Sequence, residues 1–191
     1  TSERNISFVT DSYYNIRAVN IIHQAFFESR KRLYLAVVGT GNIGSALLQQ
    51  LHQQQKFLLS QGFDVRVCAI ADSKRFLLNH NGIDLTRWQA ELQHSQHNMD
   101  VRTLAKQIAE MKLTNVALVD CTASTIIADA YTEFVEANMH IITPNKKANV
   151  LPWKEYNNLV ELLAKRKKYF LYEANVGAGL PIISTLHDLI A

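Results

Sequence analysis

From Leu33 onward, short apolar runs alternate with stretches of helical periodicity, and few turn residues interrupt either kind of segment. Parallel strands cannot be joined by tight turns and need crossover helices, so this alternation points to a parallel sheet. The runs Leu33 to Val38, Val65 to Ala71, Val116 to Asp120, His140 to Thr143 and Tyr169 to Ala174 read as strands. Most are continuously apolar, the pattern of strands covered on both faces. The expected fold is therefore α/β, a doubly wound parallel sheet. Helices are expected over about Asn42 to Ser60, Val101 to Met111 behind an Asp100 cap, Thr125 to Ala137 behind Ser124, and Pro152 to Lys165. A last helical pattern, Pro181 to Ala191, is still running at the final residue, which leads us to expect a larger protein.

With 191 residues, 48% hydrophobic and 19% charged, the chain can bury a core but has no room for a second complete domain. Disordered tails and disulfide-stapled miniproteins are excluded. A net charge of +3 points to no nucleic-acid or anionic-membrane partner. No stretch approaches the ~18 apolar residues of a membrane span, and Thr1 to Asn5 lack the basic start of a signal peptide. A cytoplasmic protein is the expectation. Cys68 and Cys121 read as small buried residues of a reducing compartment.

Residues 1–32 break the alternation, with a strand-like piece at Ile6 to Thr10 and a helix at about Tyr14 to Phe27 before Arg30-Lys31-Arg32. One strand and one helix make no core, so this arm either ends a preceding domain or packs on the main one. The main domain is expected to start at Leu33 and run to the last residue. Asn79 to Asn98 reads as a solvated loop with one short helix around Arg87 to Leu92; its His94 and His97 lack a third ligand. The run Lys165-Arg166-Lys167-Lys168 ends a helix, where the dipole favours cations.

Directly after the first strand comes Gly39-Thr40-Gly41-Asn42-Ile43-Gly44, and a helix follows without a gap. In this Gly-x-Gly-x-x-Gly pattern the first glycine permits a sharp turn, the second lets backbone approach a pyrophosphate, and the third lets helix sit on strand. The helix N-terminus presents unpaired N–H groups to the phosphates. A dinucleotide, NADP or NAD, is the expected ligand, and a glycine turn with only a packing role is the alternative.

The second strand should end where the adenosine ribose lies, at Ala71-Asp72-Ser73-Lys74-Arg75. Asp72 accepting ribose hydroxyls would favour NAD, Lys74 and Arg75 gripping a 2'-phosphate would favour NADP, and a plain turn of mixed charge is the third reading. The 28-residue interval from Gly44 to Asp72 is longer than the usual ~20, a consequence of the long first helix. Asp120-Cys121-Thr122-Ala123-Ser124 brings small hydroxyl residues to the C-terminal sheet edge, where ligands of open parallel sheets bind; Ser124 is equally a helix cap. Lys146 follows a strand end and a proline-stiffened turn, which would put its ammonium at the same edge unless it is an ordinary surface lysine.

Two further segments, Thr143-Pro144-Asn145-Lys146-Lys147-Ala148-Asn149 and Tyr172-Glu173-Ala174-Asn175-Val176-Gly177-Ala178-Gly179-Leu180-Pro181-Ile182-Ile183, follow the glycine loop in order. Together they make the chain resemble the homoserine dehydrogenase family, most closely the nucleotide-binding part of the bifunctional aspartokinase/homoserine dehydrogenases. The resemblance implies a Rossmann-type NAD(P)-binding domain over residues 33–191 and assigns residues 1–32 to the end of an ACT-like regulatory region and its linker. It implies reduction of aspartate 4-semialdehyde to homoserine by NADPH or NADH in threonine and methionine biosynthesis. Gly39, Thr40, Gly41, Asn42, Ile43, Gly44, Asp72 and Thr122 are the expected cofactor-binding residues, and the resemblance adds Lys146, which would contact cofactor and substrate as the catalytic lysine. It places a monovalent cation, sodium or potassium, on Glu173, Val176, Ala178 and Leu180, the last three through backbone oxygen. Asn175 stands where many members have Thr.

The family's remaining lysine and acidic residues lie beyond the point where this chain ends, so the chain alone is expected to hold nucleotide without turning over. The family also assembles into dimers or larger oligomers, which is the expectation for the full-length protein, with no nucleic-acid or membrane partner. The rival readings are a non-catalytic dinucleotide-sensing regulatory module and a pure interaction scaffold.

Overall fold

The computed structural model describes residues 7, 9–27, 30–177 and 179–190. Its centre is a six-stranded sheet of order β3-β2-β1-β4-β5-β6. The strands are β1 (Lys31–Val38), β2 (Phe63–Ala71), β3 (Phe76–Leu78), β4 (Val116–Asp120), β5 (His140–Ile142) and β6 (Phe170–Leu171). All neighbours pair in parallel except β3, which returns antiparallel beside β2. The helices are α1 (Asn15–Phe27), α2 (Asn42–Ser60), α3 (Trp88–Gln93), α4 (Val101–Glu110), α5 (Thr125–Asp129), α6 (Tyr131–Glu136), α7 (Trp153–Arg166) and α8 (Ile182–Ile190).

Side chains of a strand alternate between faces, and the core divides accordingly. Tyr34, Ala36 and Val38 of β1 and Val116 and Leu118 of β4 pack with Leu104 and Ile108 of α4, Phe134 of α6 and Leu159 of α7. Leu35, Val37, Ala117 and Val119 point the other way, onto Leu48 of α2 and Trp88 and Leu92 of α3. Because both faces are roofed, β4 is buried at all five positions. The doubly wound sheet is the fold expected from the apolar runs.

Several details differ. The strand β3 was not foreseen; a turn over residues 72–75 folds it back, held by the Asp72 N–H donating to Arg75 O at 3.0 Å. The expected helix from Thr125 to Ala137 is two helices, broken at Ala130 so that Tyr131 can turn inward. The expected strand from Tyr169 to Ala174 shortens to two residues, because residues 173–175 turn as a 3-10 helix that brings Glu173 to the start of α8. Of the strand-like Ile6 to Thr10, Ile6 and Phe8 lie outside the described residues, and the others form no strand. Cys68 is buried, but Cys121 is half-buried at a cleft wall. Burial pushes the Cys68 thiol up to about 12 and, with the Asp120 charge, Cys121 to about 11, so both stay protonated near neutral pH. No helix among the described residues is long and apolar enough to cross a membrane.

Candidate functional site: a cleft at the switch point of the sheet

Strand order reverses between β1 and β4, and the crossovers leaving them run to opposite faces, which opens a crevice beyond their C-terminal ends. A cleft of about 740 Å3 occupies that place, walled by the glycine loop, the Asp72 turn, the start of α4 and residues 121–127. Gly39, Thr40, Gly41, Asp72 and Thr122, named from sequence, meet in it.

The loop owes its shape to its glycines. Gly39 has φ +96°, in the left-handed region, and a Cβ there would stand 2.8 Å from Thr122 Cγ2. Its N–H donates to Ala71 O at 2.8 Å, tying the loop to the end of β2. A Cβ on Gly44 would overlap the Gly39 carbonyl oxygen, so only glycine lets α2 leave this close to β1. Chain neighbours aside, no heavy atom of the described residues lies within 4 Å of a Cβ position on Gly41. Ser45 donates its N–H back along the chain to Gly41 O at 2.9 Å, and its hydroxyl donates to Thr40 O at 2.7 Å. The N–H groups of Asn42, Ile43 and Gly44 belong to the helix's first turn, which has no intrahelical acceptor. Open space beside a glycine at a helix N-terminus fits a pyrophosphate. Asn42 and Ile43 are exposed and Gly44 is buried.

Asp72 lines the cleft, but its Oδ1 already accepts the N–H groups of Lys74 at 2.6 Å and Arg75 at 2.7 Å. Lys74 and Arg75 themselves are exposed on that turn. On the opposite wall, Asp100 caps α4 through Thr103 N–H at 2.7 Å; the Thr103 hydroxyl, and after it this N–H, hold its carboxyl below the usual range.

Beneath the cleft floor lies a polar group that the sequence reading missed. Asp120 is wholly buried at the end of β4 and accepts four hydrogen bonds. Thr122 gives its N–H at 2.8 Å and its hydroxyl at 2.7 Å, Tyr131 its hydroxyl at 2.7 Å, and Asn145 its Nδ2 at 2.9 Å. Thr143 Oγ1 bonds the Asp120 carbonyl at 3.1 Å and accepts Asn145 N–H at 2.8 Å. Burial and the Asp120 charge hold the Tyr131 phenol far above its ordinary value, so it remains a donor. The one signal in the sequence was an acidic residue closing an otherwise apolar strand.

Asn145 carries the network to the expected lysine. Its Oδ1 accepts Lys147 N–H at 3.1 Å, capping the 3-10 turn over Lys146–Val150, and its Nδ2 also reaches Ser124 O at 2.9 Å. Lys146 opens that turn and is exposed; it is not among the residues walling the cleft. Ser124 caps α5 through Ile126 N–H at 3.2 Å and also lines the cleft, so both readings of it hold.

Of the proposed cation ligands, Ala178 lies outside the described residues. Glu173 gives one carboxylate oxygen to Ile183 N–H at 2.9 Å and the other to Ser184 N–H at 3.0 Å. Val176 and Leu180 are exposed, and the Leu180 carbonyl accepts Ile182 N–H at 2.9 Å. The buried Asn175 Oδ1 on this turn has no hydrogen-bond partner among the described residues. His94 and His97 join no metal-holding cluster among the described residues; His97 instead stacks on Phe76 with ring centroids 5.0 Å apart.

Residues 39–173 match the family model described as the homoserine dehydrogenase NAD-binding domain. The chain is 37% identical over 189 residues to a bifunctional aspartokinase/homoserine dehydrogenase of Buchnera aphidicola, covering 99% of this chain and 23% of that protein. It is 40% identical over 191 residues to the chloroplastic bifunctional aspartokinase/homoserine dehydrogenase 2 of Arabidopsis thaliana, covering 99% of this chain and 21% of that one. Among solved structures, a Candida auris protein of unknown function superposes with TM-score 0.72 at 32% identity over 84% of this chain and 44% of that one. A hyperthermophilic archaeal homoserine dehydrogenase in complex with NADPH superposes with TM-score 0.66 at 20% identity, over 82% of this chain and 48% of that one, a likeness of fold. The chain thus spans less than a quarter of the length of these curated relatives, and over that span it belongs to the homoserine dehydrogenase family, as its NAD-binding domain.

Proposed function

We propose that this domain serves an enzyme that reduces L-aspartate 4-semialdehyde to L-homoserine with NAD(P)H in threonine and methionine biosynthesis, as part of a bifunctional aspartokinase/homoserine dehydrogenase. The observation that carries it is the cleft at the β1/β4 switch point, with Gly41 standing open toward it. When bound, the nicotinamide nucleotide supplies the reducing equivalent. This chain's residues bind and orient: the amides of residues 42–44 receive the pyrophosphate, Thr122 walls the cleft, and Lys146 offers its ammonium to cofactor and substrate. NADPH is the favoured nucleotide, because Asp72 spends an oxygen on its own turn while two cationic side chains, Lys74 and Arg75, flank it.

A monovalent cation, sodium or potassium, is proposed at residues 173–180, on Glu173, Val176, Ala178 and Leu180. A carboxylate and backbone carbonyls are hard oxygen donors of the kind such an ion takes, and the buried Asn175 Oδ1 on this turn is without a partner among the described residues. The regulatory-sensor reading has no specific observation in its favour. Calorimetric titration with NADPH and NADH tests nucleotide binding, and loss of both heats would overturn the reading. In the full-length protein, the consumption of NADPH with the semialdehyde should disappear in Lys146→Ala; a sensor would have no turnover to lose.

A further inference from the structure

All four hydrogen bonds to the Asp120 carboxylate come from donors, and an acceptor-only group is the one side chain that matches them at this position. An amide of the same shape would turn hydrogens toward the Tyr131 hydroxyl or the Asn145 amide. A carboxylate with no accessible surface is costly to keep, and full hydrogen bonding offsets that cost. Such a group orders whatever it holds, and what it holds here are the two sides of the proposed reaction site.

On one side is Thr122, fixed through both its N–H and its hydroxyl, whose methyl group abuts Gly39 of the glycine loop. On the other is Asn145, which caps the turn that Lys146 begins. The Asn145 carbonyl also accepts Asn175 Nδ2 at 3.3 Å, so the same anchor reaches the 173–175 turn. We propose that Asp120 is a positioning residue: its buried carboxylate locks Thr122 and Asn145 together, which fixes the turn that carries Lys146 relative to a nucleotide on the glycine loop. Asp120 touches neither nucleotide nor substrate. The proposal rests on the nucleotide-binding reading above.

A residue that acts through Lys146 must lose its influence when Lys146 is gone, whereas one that merely stabilises the fold must not. The test is a double-mutant cycle on the NADPH dissociation constant with the parent chain, Asp120→Asn, Lys146→Ala and the double variant, each checked by circular dichroism. Asp120→Asn should weaken NADPH about tenfold in the parent and clearly less in the Lys146→Ala background, where only its hold on Thr122 remains. Equal fold losses in both backgrounds, or no loss at all, would overturn the proposal, as would a Lys146→Ala variant that binds NADPH as the parent does. If Asp120→Asn fails to fold, the same cycle with Asn145→Ala decides, since that change cuts the link to the lysine and leaves the buried charge its other three bonds. A parent chain that binds neither NADPH nor NADH would instead defeat the nucleotide-binding reading, and the positioning proposal with it.

Discussion

Gly44 sits so close beneath Gly39 that a methyl group on it would overlap the Gly39 carbonyl oxygen, while two residues from Gly39 the loop opens and Gly41 faces empty space. The same motif therefore contains a packing glycine and a binding glycine, and substitution separates them. Gly44→Ala should destabilise the fold by about 1–3 kcal/mol, because helix and loop must part to admit the Cβ. Gly41→Ala should leave thermal unfolding within about 0.5 kcal/mol of the parent, since the backbone there, φ −70°, suits any residue. It should nonetheless weaken nucleotide binding at least about tenfold, because its methyl group would fill the space beside the helix N-terminus. Unchanged nucleotide affinity in Gly41→Ala, by calorimetry, would mean that the pyrophosphate rests elsewhere.

Asp72 gives a second test at the opposite end of the cleft. If Lys74 and Arg75 read a 2'-phosphate, replacing both with Ala should cost NADPH affinity about tenfold or more and leave NADH affinity nearly unchanged. Asp72→Asn should narrow the gap between the nucleotides less, because an amide oxygen still accepts the two turn N–H groups. Parallel losses for both nucleotides would show a turn with only a structural role.

The sheet was legible because the physics behind it is local. Buried strands must be apolar along their length, and Val116–Asp120 lies where its apolar run put it. Capping residues were equally plain, since Asp100 and Ser124 each precede a periodic stretch. What stayed hidden depends on distance in space rather than in sequence. Asp120 and Asn145 are 25 residues apart, and nothing near either announces a buried bond between them. The strand β3 escaped because three residues carry almost no periodicity and the Asp72 turn reads equally well as a ligand site. For Lys146 the strand end and proline before it suggested the sheet edge and family likeness its role, while its own surroundings show an exposed residue at the start of a capped turn.

His140 ties the edge of the sheet to pH. Its Nδ1 accepts the Tyr169 N–H at 3.1 Å, and the two rings stack with centroids 5.3 Å apart. Burial, then the nearby Lys168 charge, lowers the imidazole below its ordinary value of 6.5. The unfolded chain therefore binds a proton more readily than the folded one, and stability rises with pH between the lowered value and 6.5. The contribution is complete above 6.5 and is lost as pH falls through the folded value, where protonated Nδ1 would face the Tyr169 N–H donor to donor. Melting temperature followed from pH 8 down to about 5 should fall, and His140→Asn, which keeps an acceptor but cannot titrate, should flatten that part of the curve. An identical slope in the variant would assign the effect to other groups.

Glu173 joins the turn at residues 173–177 to α8 through two helix amides, Ile183 at 2.9 Å and Ser184 at 3.0 Å. These are first-turn donors without intrahelical partners, so removing the carboxylate should cost the helix about 1 kcal/mol. Hydrogen exchange at Ile183 and Ser184 should accelerate about fivefold in Glu173→Ala and much less in Glu173→Gln, which keeps one acceptor. A bound cation would draw the same carboxylate and the neighbouring carbonyls inward. Potassium or sodium, compared with a bulky tetraalkylammonium at equal ionic strength, should then slow exchange at those amides in the parent and leave Glu173→Ala unaffected. Equal exchange in all three salts would remove the cation from this turn and leave Glu173 as a helix cap alone.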